Sequence, residues 1–562
     1  MKPSRTFTFF VRLRSLRASE VCMAVVVFLL ILDAVLRRAV GTDAMNQQYW
    51  LSDYSHLVLS GTLLPRWIPT GFHNLGAPSF YFYPPLAFWL AAPVRAITGI
   101  HSGSGLFQTL SLLSVAASFF TARMFLKRIA VSKYRANVGA ALYAIAPYKI
   151  AEWYARSSIS STIAFVFIPL FALGLLYLID NRNPWRGAVL LAVSLALITL
   201  ASVPIALVVI VCGTIAAALF WKRITLRVVW STTVASVLFV ALTAFQLSSI
   251  LAWENFVQLN QLKNNPEYAI SKFLAMDLNA TTYYYTALYV VFGIIALVAF
   301  RTWMRGAALT SAERNVLRTL LVILGLALLL EVPAISRPIW LGAPILHLIQ
   351  GVYRFYIVLV LLVSCFVAVA SSRPIRSAAS AILTVWGVAA MVPLAVVLFQ
   401  LHFNPHVDPD AVDPPEYATI YAPANRYVLE AMVLRHEGDA PALLDSEGTA
   451  GDRIQPDDSI AHDRFTVSLS EKRLVTFHRL YWPGFHLCAR GQEIASQPDS
   501  IGRATAIFPA GKYTATWELI RSPLETAGLW ISGPAWIGVL IFWGIGLVRT
   551  RVKKNHLAIT IA

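Results

Sequence analysis

Charged residues are scarce in this chain of 562 residues, where Asp, Glu, Lys and Arg together make up 13%. Cysteine is also rare, and only Cys488 belongs to the polar C-terminal part, so no disulfide can form within that part. The sequence contains no Cys-x-x-Cys, His-Glu-x-x-His, Gly-x-Gly-x-x-Gly or Walker motif. These absences argue against a zinc site and a nucleotide-binding domain, and we predict no cofactor.

Apolar residues dominate instead, at 57% of the chain, which is typical of a polytopic membrane protein. A helix needs roughly 20 apolar residues to span a bilayer. About twelve apolar runs have roughly this length, and each predicts a membrane span. They lie near 21–40, 105–126, 136–155, 159–179, 187–202, 204–220, 228–250, 283–300, 317–331, 352–370, 377–400 and 528–548. We expect a proline-bearing break at 202–204, and a helix along the membrane interface at 84–98.

The basic residues indicate how these spans are oriented. The formal net charge is +17, and the Lys and Arg residues cluster in every second connection between spans. This positive-inside pattern predicts that both termini lie in the cytoplasm, and it argues against a nucleic-acid partner. We therefore predict a multi-pass membrane protein, surrounded by membrane lipids.

The predicted topology divides the chain into four parts. Residues 1–20 form a basic cytoplasmic N-terminus, and 21–400 form a transmembrane module whose first outer loop is 41–104. Residues 401–527 form a polar, β-rich outer domain, and 528–562 form the last span with a basic cytoplasmic tail. Alternating segments predict strands of a small β-sandwich in the outer domain, near 465–469, 474–478, 504–508 and 513–517.

The first outer loop carries the clearest functional pattern. Asp43 follows the first apolar run, and the loop behind it is dense in aromatic residues, glycine and proline. Its distinctive segments are 41–43, 65–67, 74–78 and 81–86. This combination predicts a pocket at the membrane surface that holds a polar substrate beside an apolar one.

These motifs resemble those of bacterial membrane proteins catalogued as pyruvoyl-tetrahydropterin-synthase-related, which in turn are similar to the GT-C class of lipid-linked-sugar glycosyltransferases. The resemblance covers nearly the whole chain, and the sequence offers no three-histidine zinc site that would suit pterin chemistry. Further matching elements are 142–148, Glu152, Tyr154, Arg156, Glu254, 353–354, 481–485 and 509–513. The resemblance implies a polytopic α-helical, GT-C-like protein of the bacterial plasma (inner) membrane with an outer C-terminal β-sandwich.

The same resemblance implies a defined chemistry. A sugar would move from a polyprenyl-phosphate donor to a glycan, lipid or protein acceptor on the outer face. Asp43 would act as general base toward the acceptor hydroxyl. Arg156 and Arg354 would bind the leaving phosphate, because a guanidinium fork matches phosphate geometry. Arg66 is an alternative phosphate-binding cation.

Other side chains are candidates for substrate binding, namely Glu152, Glu254, His56, Tyr81 and Tyr83. Glu254 either orients an acceptor or forms an ion pair with arginine, and Glu152 is either a substrate ligand or an ion-pair partner of an arginine. The tyrosine rings either stack on a sugar or belong to an interfacial aromatic belt. His56 is either a substrate ligand or a structural residue. Nothing indicates a divalent metal, because the first loop holds only two acidic residues.

Two other classes of protein fit the same pattern. A flippase or transporter of lipid-linked glycans would also have many spans, although transporters usually show internal repeats, and none is evident here. A non-catalytic scaffold that binds glycan is the second alternative. Two departures from the related pattern keep it open: serines at 157–161 replace a frequent glutamate, and Ser202 lies where a histidine is common.

Overall fold

The described part of the chain is mainly helical, with a β region toward its C-terminus. In this computed structural model the described residues are 43–71, 75–154, 156–180, 183–256, 280–304, 309–349, 351–372, 375–387, 389, 442–444, 452–456, 463–499 and 502–561. The predicted N-terminus at 1–20 and the first predicted span at 21–40 lie outside these residues. The predictions for 390–441 lie outside them too.

The α-helices account for most of the described residues. They are α1 (Ala44–Leu59), α2 (Ser79–Phe82), α3 (Leu86–Thr98), α4 (Gly103–Leu126), α5 (Lys133–Ala144), α6 (Pro147–Tyr154), α7 (Ile159–Ile179), α8 (Pro184–Ala201), α9 (Val203–Leu219), α10 (Leu226–Trp253), α11 (Ala280–Met304), α12 (Ser311–Leu330), α13 (Pro333–Gly342), α14 (Tyr356–Val369) and α15 (Pro523–Ile561). Short 3-10 helices are Trp221–Arg223, Glu254–Phe256, Pro344–Ile349 and Val352–Phe355. Residues 375–387 are also helical.

Six helices of the described residues are long and apolar enough to cross a membrane. They are Gly103–Leu126, Ile159–Ile179, Pro184–Ala201, Leu226–Phe256, Val352–Val369 and Pro523–Ile545. A seventh span results if Ser311–Leu330 and Ala334–Gly342, which meet at 92°, are taken as one broken span. The prediction of a multi-pass membrane protein is confirmed, and the number of twelve spans stays a prediction.

The predicted break in the long apolar run is present at Ser202. Helix α8 ends at Ala201 and α9 begins at Val203, with Pro204 in its first turn. Proline suits the first turn of a helix because the backbone N–H that it lacks has no acceptor there. A helix also covers most of 84–98, where α3 extends from Leu86 to Thr98.

Several helices begin at a hydroxyl that accepts a hydrogen bond from an otherwise unpaired backbone N–H. Ser102 Oγ accepts from Gly105 N at the start of α4, and Ser158 Oγ accepts from Ser161 N at the start of α7. Each such cap stabilises its helix by about 1 kcal/mol. Ser158 and Ser161 therefore have a structural role, because they form the cap at the beginning of α7, which coincides with a predicted span.

Glu313 fixes the beginning of α12. Thr310 and Glu313 form a capping box, in which the carboxylate accepts from the Thr310 backbone N–H at 2.9 Å. Its second oxygen accepts from the backbone N–H groups of Ser371 and Ser372 at 2.8 and 2.9 Å. The fully buried carboxylate thereby ties the beginning of α12 to the end of α14.

The chain folds into two compact units, each formed by separate stretches of sequence. The first unit contains the described residues of 1–55, 86–231 and 262–412. The second contains those of 56–85, 232–261 and 413–562. Most apolar helices belong to the first unit, whereas the β region and the last helix belong to the second.

Two antiparallel sheets form the β region of the second unit. The strands are β1 (Ala442–Leu444), β2 (Arg453–Pro456), β3 (Arg464–Leu469), β4 (Arg473–Leu480), β5 (Phe485–Ala489), β6 (Gln492–Ile494), β7 (Ser496–Pro498), β8 (Arg503–Phe508) and β9 (Gly511–Leu519). One sheet has the order β1-β4-β8-β7 and the other has the order β2-β3-β9-β5-β6. The four predicted strand segments coincide with β3, β4, β8 and β9.

Aromatic side chains connect the two sheets. Phe465 of the five-stranded sheet lies 5.2 Å from Phe477 and 6.1 Å from Phe508 of the four-stranded sheet, measured between ring centroids. Trp517 adds an edge-to-face contact with Phe477 at 5.2 Å. Alternate residues of β3 are buried, as the alternating sequence pattern predicts. The complete sandwich arrangement stays a prediction.

The described part of the first loop contains an isolated antiparallel bridge beside a glycine with a positive φ. The backbone groups of Ile68 and Ala77 exchange two hydrogen bonds of 2.9 Å. Gly76 adopts a φ of +86°, and a Cβ at this position would overlap the indole ring of Trp67. That ring packs edge-to-face on Phe485 of β5 at 4.9 Å. The glycine therefore allows the loop to approach the β region closely.

We expect Gly76→Ala to lower the thermal unfolding temperature of the purified protein, because the methyl group meets both an unfavourable φ and the Trp67 ring. Gly61→Ala is a matched control. Gly61 also has a positive φ, of +105°, but a Cβ there would meet nothing within 4 Å. Each change carries a conformational cost of about 1 kcal/mol. Equal destabilisation by both variants, measured by intrinsic fluorescence, would contradict the close packing of Trp67 on Gly76.

Candidate functional site

Asp43 lies at the beginning of α1 in the first unit. Its backbone oxygen accepts from Gln47 N at 3.0 Å, and its own N–H donates to the backbone oxygen of Arg156 at 2.8 Å. Its carboxylate Oδ2 lies 3.0 Å from Arg156 Nε. The side chain is 36% exposed, and Oδ1 forms no hydrogen bond with the described residues. Asp43 is thus held by one carboxylate oxygen and by its backbone, while its side chain is partly exposed.

Arg156 bridges two carboxylates. Besides its contact with Asp43, its Nη1 lies 3.3 Å from Oε2 of Glu152. Only 18% of the arginine side chain is exposed, and the Glu152 side chain is completely buried. Because charged groups are costly to bury alone, the arginine and the two carboxylates stabilise one another. The structure therefore joins three of the predicted site residues in one ionic chain.

A tight turn after α6 positions Arg156. Every residue of α6 is buried, and the backbone N–H of Arg156 donates to Ala151 O at 3.0 Å. Ser158 N then donates to Glu152 O at 2.7 Å, which closes the turn. Between them Ser157 adopts a φ of 57°, a conformation that costs a non-glycine residue about 1 kcal/mol. Such strain persists only where the surrounding contacts hold it, and it occurs often at functional sites.

Arg354 belongs to the same cluster. It lies on the 3-10 helix Val352–Phe355, which begins after Gly351 with a φ of 143°. The Cζ atoms of Arg354 and Arg156 lie 5.3 and 5.7 Å from the centroid of the Tyr353 ring. Arg354 is 3% exposed. Two guanidinium groups thus share one aromatic ring, which partly compensates their mutual repulsion.

Tyr148 lies on α6, as Glu152 does, and its side chain is 1% exposed. We name the set Asp43, Glu152, Arg156, Tyr353 and Arg354 the ionic cluster. It combines an accessible carboxylate with two guanidinium groups, which suits a substrate that brings both an acidic proton and an anionic leaving group.

Arg66 occupies a different setting, in the second unit. Its Nη1 donates to Phe80 O at 2.8 Å and to Gln246 Oε1 at 2.6 Å, and its Nη2 donates to Phe245 O at 2.8 Å. Gln246 Nε2 in turn donates to the backbone oxygens of Tyr81 and Tyr83, at 3.2 and 3.4 Å. These bonds attach the first loop to α10. Phosphate binding by Arg66 stays a prediction.

Tyr81 belongs to a buried aromatic cluster of the second unit. Its ring lies 5.1 Å from that of Trp482 and 5.9 Å from that of Trp253. Burial raises the pKa of the Tyr81 hydroxyl, and the charge of Glu525 raises it further. Tyr81 is only 1% exposed. These contacts place the ring in the core of the unit, and its stacking on a sugar stays a prediction.

The remaining predicted ligands are also in the second unit. Tyr83 is half-buried and packs edge-to-face on Phe80, with ring centroids 6.2 Å apart. His56 lies in the last turn of α1 and is half-buried. Glu254 begins the 3-10 helix Glu254–Phe256 and is also half-buried. Their roles as substrate ligands stay predictions.

Sequence reasoning missed two structural anchors. Glu525 is 3% exposed and accepts from Trp253 Nε1 at 2.8 Å and from Ser249 Oγ at 3.2 Å. Its Ser-x-x-Glu spacing with Ser522 is a readable capping-box signal for the beginning of α15. Lys149 is 1% exposed and donates to Ser114 O and Ser118 Oγ, at 3.0 and 2.6 Å. A lysine inside a predicted span was the available signal for it.

Among the described residues, no group of three or more His, Cys, Asp and Glu side chains is arranged to hold a metal ion. The ionic cluster brings together two carboxylates, Asp43 and Glu152, and Arg156 contacts both of them. Arg156 thus lies between two carboxylates in the described part of the first unit.

Comparisons with known proteins give little guidance. No protein-family profile matches the chain, and no curated protein matches it. Among solved structures, the chain is similar to the arabinofuranosyltransferase AftD from Mycobacteria, at 15% identity and a TM-score of 0.38, over 68% of this chain and 26% of that one. A mutant form of AftD gives 17% identity and a TM-score of 0.38, over 68% and 27%. The chain thus spans about a quarter of the AftD chains, and at this similarity we draw no conclusion from the match.

Proposed function

We propose that this protein is a GT-C-like membrane glycosyltransferase that transfers a sugar from a polyprenyl-phosphate donor to an acceptor hydroxyl. The observation that carries the proposal is the contact of Arg156 with both Asp43 and Glu152, beside the buried Arg354. A base and two phosphate-binding cations are what this transfer requires. The acceptor is a glycan, a lipid or a protein on the outer face of a bacterial inner membrane.

The proposed reaction assigns a role to each charged group. The acceptor oxygen attacks the anomeric carbon of the sugar, and the bond between that carbon and the phosphate oxygen breaks. The polyprenyl phosphate leaves with the electron pair, and Asp43 takes the proton of the acceptor hydroxyl. Asp43 Oδ1 suits this role because no described residue donates a hydrogen bond to it, and because the side chain is partly exposed.

Arg156 and Arg354 stabilise the departing phosphate in this proposal. A guanidinium group can donate two parallel hydrogen bonds to phosphate oxygens, and these hydrogen bonds are stronger where water is excluded. The Arg156 and Arg354 side chains are largely buried, so water is largely excluded around them. Glu152 is the buried counter-charge that holds Arg156 in place when the phosphate is absent.

Reconstituted vesicles provide the test. We expect the purified full-length protein to cleave polyprenyl-phosphate sugars and to pass the sugar to an added glycan, with free polyprenyl phosphate as the second product. The measurement is chromatography of radiolabelled lipid and sugar after incubation with a panel of such donors. A quenching assay on fluorescent donor lipids measures movement across the bilayer in the same vesicles.

The two alternative classes give different results in this assay. Movement of intact donor lipid without cleavage would identify a flippase and would overturn the proposal. Retention of glycan with neither cleavage nor movement would identify a scaffold and would also overturn it. Cleavage of the donor with transfer of the sugar to the added glycan supports the proposal. Transfer of the sugar to water, which is hydrolysis of the donor, also supports it.

A further inference from the structure

The ion pairs of the β region are distributed unevenly. Arg473 pairs with Asp452, and Arg479 pairs with Asp463. Arg503 likewise lies 2.8 Å from Asp499. These pairs and that of His486 with Glu493 occupy most carboxylates of the described β region. Several basic residues of the five-stranded sheet have no carboxylate within ion-pair distance among the described residues.

Three of these basic residues lie on one face of the sheet. Arg453 of β2 is opposite Ser468 of β3, which is opposite Lys512 of β9. The side chains of directly opposite residues point to the same face, so Arg453 and Lys512 lie two strand spacings apart, about 10 Å. Arg464 pairs with Thr516, four residues further along β9, which adds roughly 13 Å along the strand.

Polar uncharged side chains fill the space between the three cations. Gln455, Thr466 and Thr514 form the intervening row across β2, β3 and β9. All three are exposed, as are Arg453, Arg464 and Lys512. We name these six residues the basic face. Its amide and hydroxyl groups can exchange hydrogen bonds with the hydroxyls of a sugar, while the cations attract anionic groups.

We propose that the basic face binds an anionic polysaccharide, with Arg453, Arg464 and Lys512 contacting its acidic groups. The separation of the cations suits anionic groups that recur along an extended polymer. A membrane surface is a poorer match, because a face that inserts among lipids presents large apolar side chains, and the basic face has none. Toward the β5 edge the same face carries Glu518 opposite His486, so the attraction for anions is confined to one end.

The test uses the purified full-length protein in phosphatidylcholine nanodiscs, which carry no net charge and need no detergent, and a defined probe. Polygalacturonate is the anionic polymer, dextran is the neutral polymer, and phosphatidylglycerol vesicles are the anionic lipid surface. We expect polygalacturonate to bind, and binding to weaken as salt is raised above about 0.1 M, where the screening length falls to about 10 Å. Biolayer interferometry with immobilised protein gives the Kd for each probe.

The triple variant Arg453→Gln, Arg464→Gln and Lys512→Gln is the decisive one. We expect its Kd for polygalacturonate to rise about ten-fold, since three exposed ion pairs of modest strength together amount to roughly one power of ten. The double variant Arg453→Lys and Arg464→Lys retains the charges and is expected to bind like the parent. A matched control removes three basic side chains from the first unit, by Lys127→Gln, Lys133→Gln and Arg135→Gln, and leaves the Kd unchanged.

Three results would overturn the proposal. They are equal binding of polygalacturonate by the triple variant and the parent, equal affinity of the parent for dextran, and binding of the vesicles in place of the polymer. Thermal unfolding of each variant confirms that the fold is intact, which we expect because all the altered side chains of the basic face are exposed. The proposal does not depend on the glycosyltransferase assignment, since none of the three binding measurements involves turnover.

Discussion

Asp43→Asn is expected to reduce sugar transfer by a factor of about 100 to 10,000, the range that general-base catalysis supplies. The amide cannot accept the proton of the acceptor hydroxyl, although it has nearly the shape of the carboxylate. The backbone hydrogen bonds of Asp43 with Gln47 and Arg156 do not involve the side chain, so α1 keeps its beginning. Donor binding is expected to change much less than turnover, and steady-state kinetics in vesicles separate the two.

Asp180→Asn is the matched control for this variant. Asp180 also lies at a helix end of the first unit, and its side chain is 42% exposed and lies 3.8 Å from Arg223. An exposed pair at this distance contributes little, so both stability and transfer are expected to stay at the parent level. Full transfer by Asp43→Asn would show that the carboxylate is not the base, whatever the activity of the protein is.

Hydrophobic patterns predicted much of the helical architecture because burial in a membrane requires long apolar runs. The break at Ser202 followed from Pro204, which has no N–H for a mid-helix hydrogen bond. The predicted span at 136–155 is in fact two helices: α5 ends at Ala144, and α6 begins at Pro147. Pro147 could have suggested this division, because proline is favoured in the first turn of a helix.

The candidate site was predictable by residue type and much less by contact. An arginine near the end of an apolar run marks a costly charge, and this singled out Arg156 and Arg354. The contact between Asp43 and Arg156 could not be read from the sequence, because the two residues are far apart in the chain. The contact depends on the turn around Ser157. The contacts of Arg66 were equally unpredictable, because its Pro-Arg-Trp context does not indicate the three hydrogen bonds to Phe80, Phe245 and Gln246.

The order of sheet strands could not be read from the sequence either. Alternation predicts which face of a strand is buried, but it does not say which strands are neighbours. The basic face exists only because β2, β3 and β9 are adjacent, which brings Arg453 and Lys512 together across distant parts of the chain.

Arg156→Ala is expected to have the largest effect on stability of any change in the ionic cluster. It removes one ion-pair partner of Glu152, whose side chain is completely buried. Breaking a buried ion pair from one side typically costs about 3–5 kcal/mol, because the remaining charge is less well compensated. The thermal unfolding temperature in detergent is therefore expected to fall, and Arg223→Ala, which breaks the exposed pair with Asp180, is the control expected to change it little.

The double variant Arg156→Ala with Glu152→Gln distinguishes a structural role from a functional one. Glutamine carries no charge to bury, so much of the lost stability is expected to return. Sugar transfer is expected to stay low, because the double variant still lacks the guanidinium group that binds the phosphate. Recovery of both stability and transfer would mean that Arg156 only neutralises Glu152, and Arg354 would then be the phosphate-binding cation. Recovery of stability alone means that the two carboxylates hold Arg156 in place for the substrate.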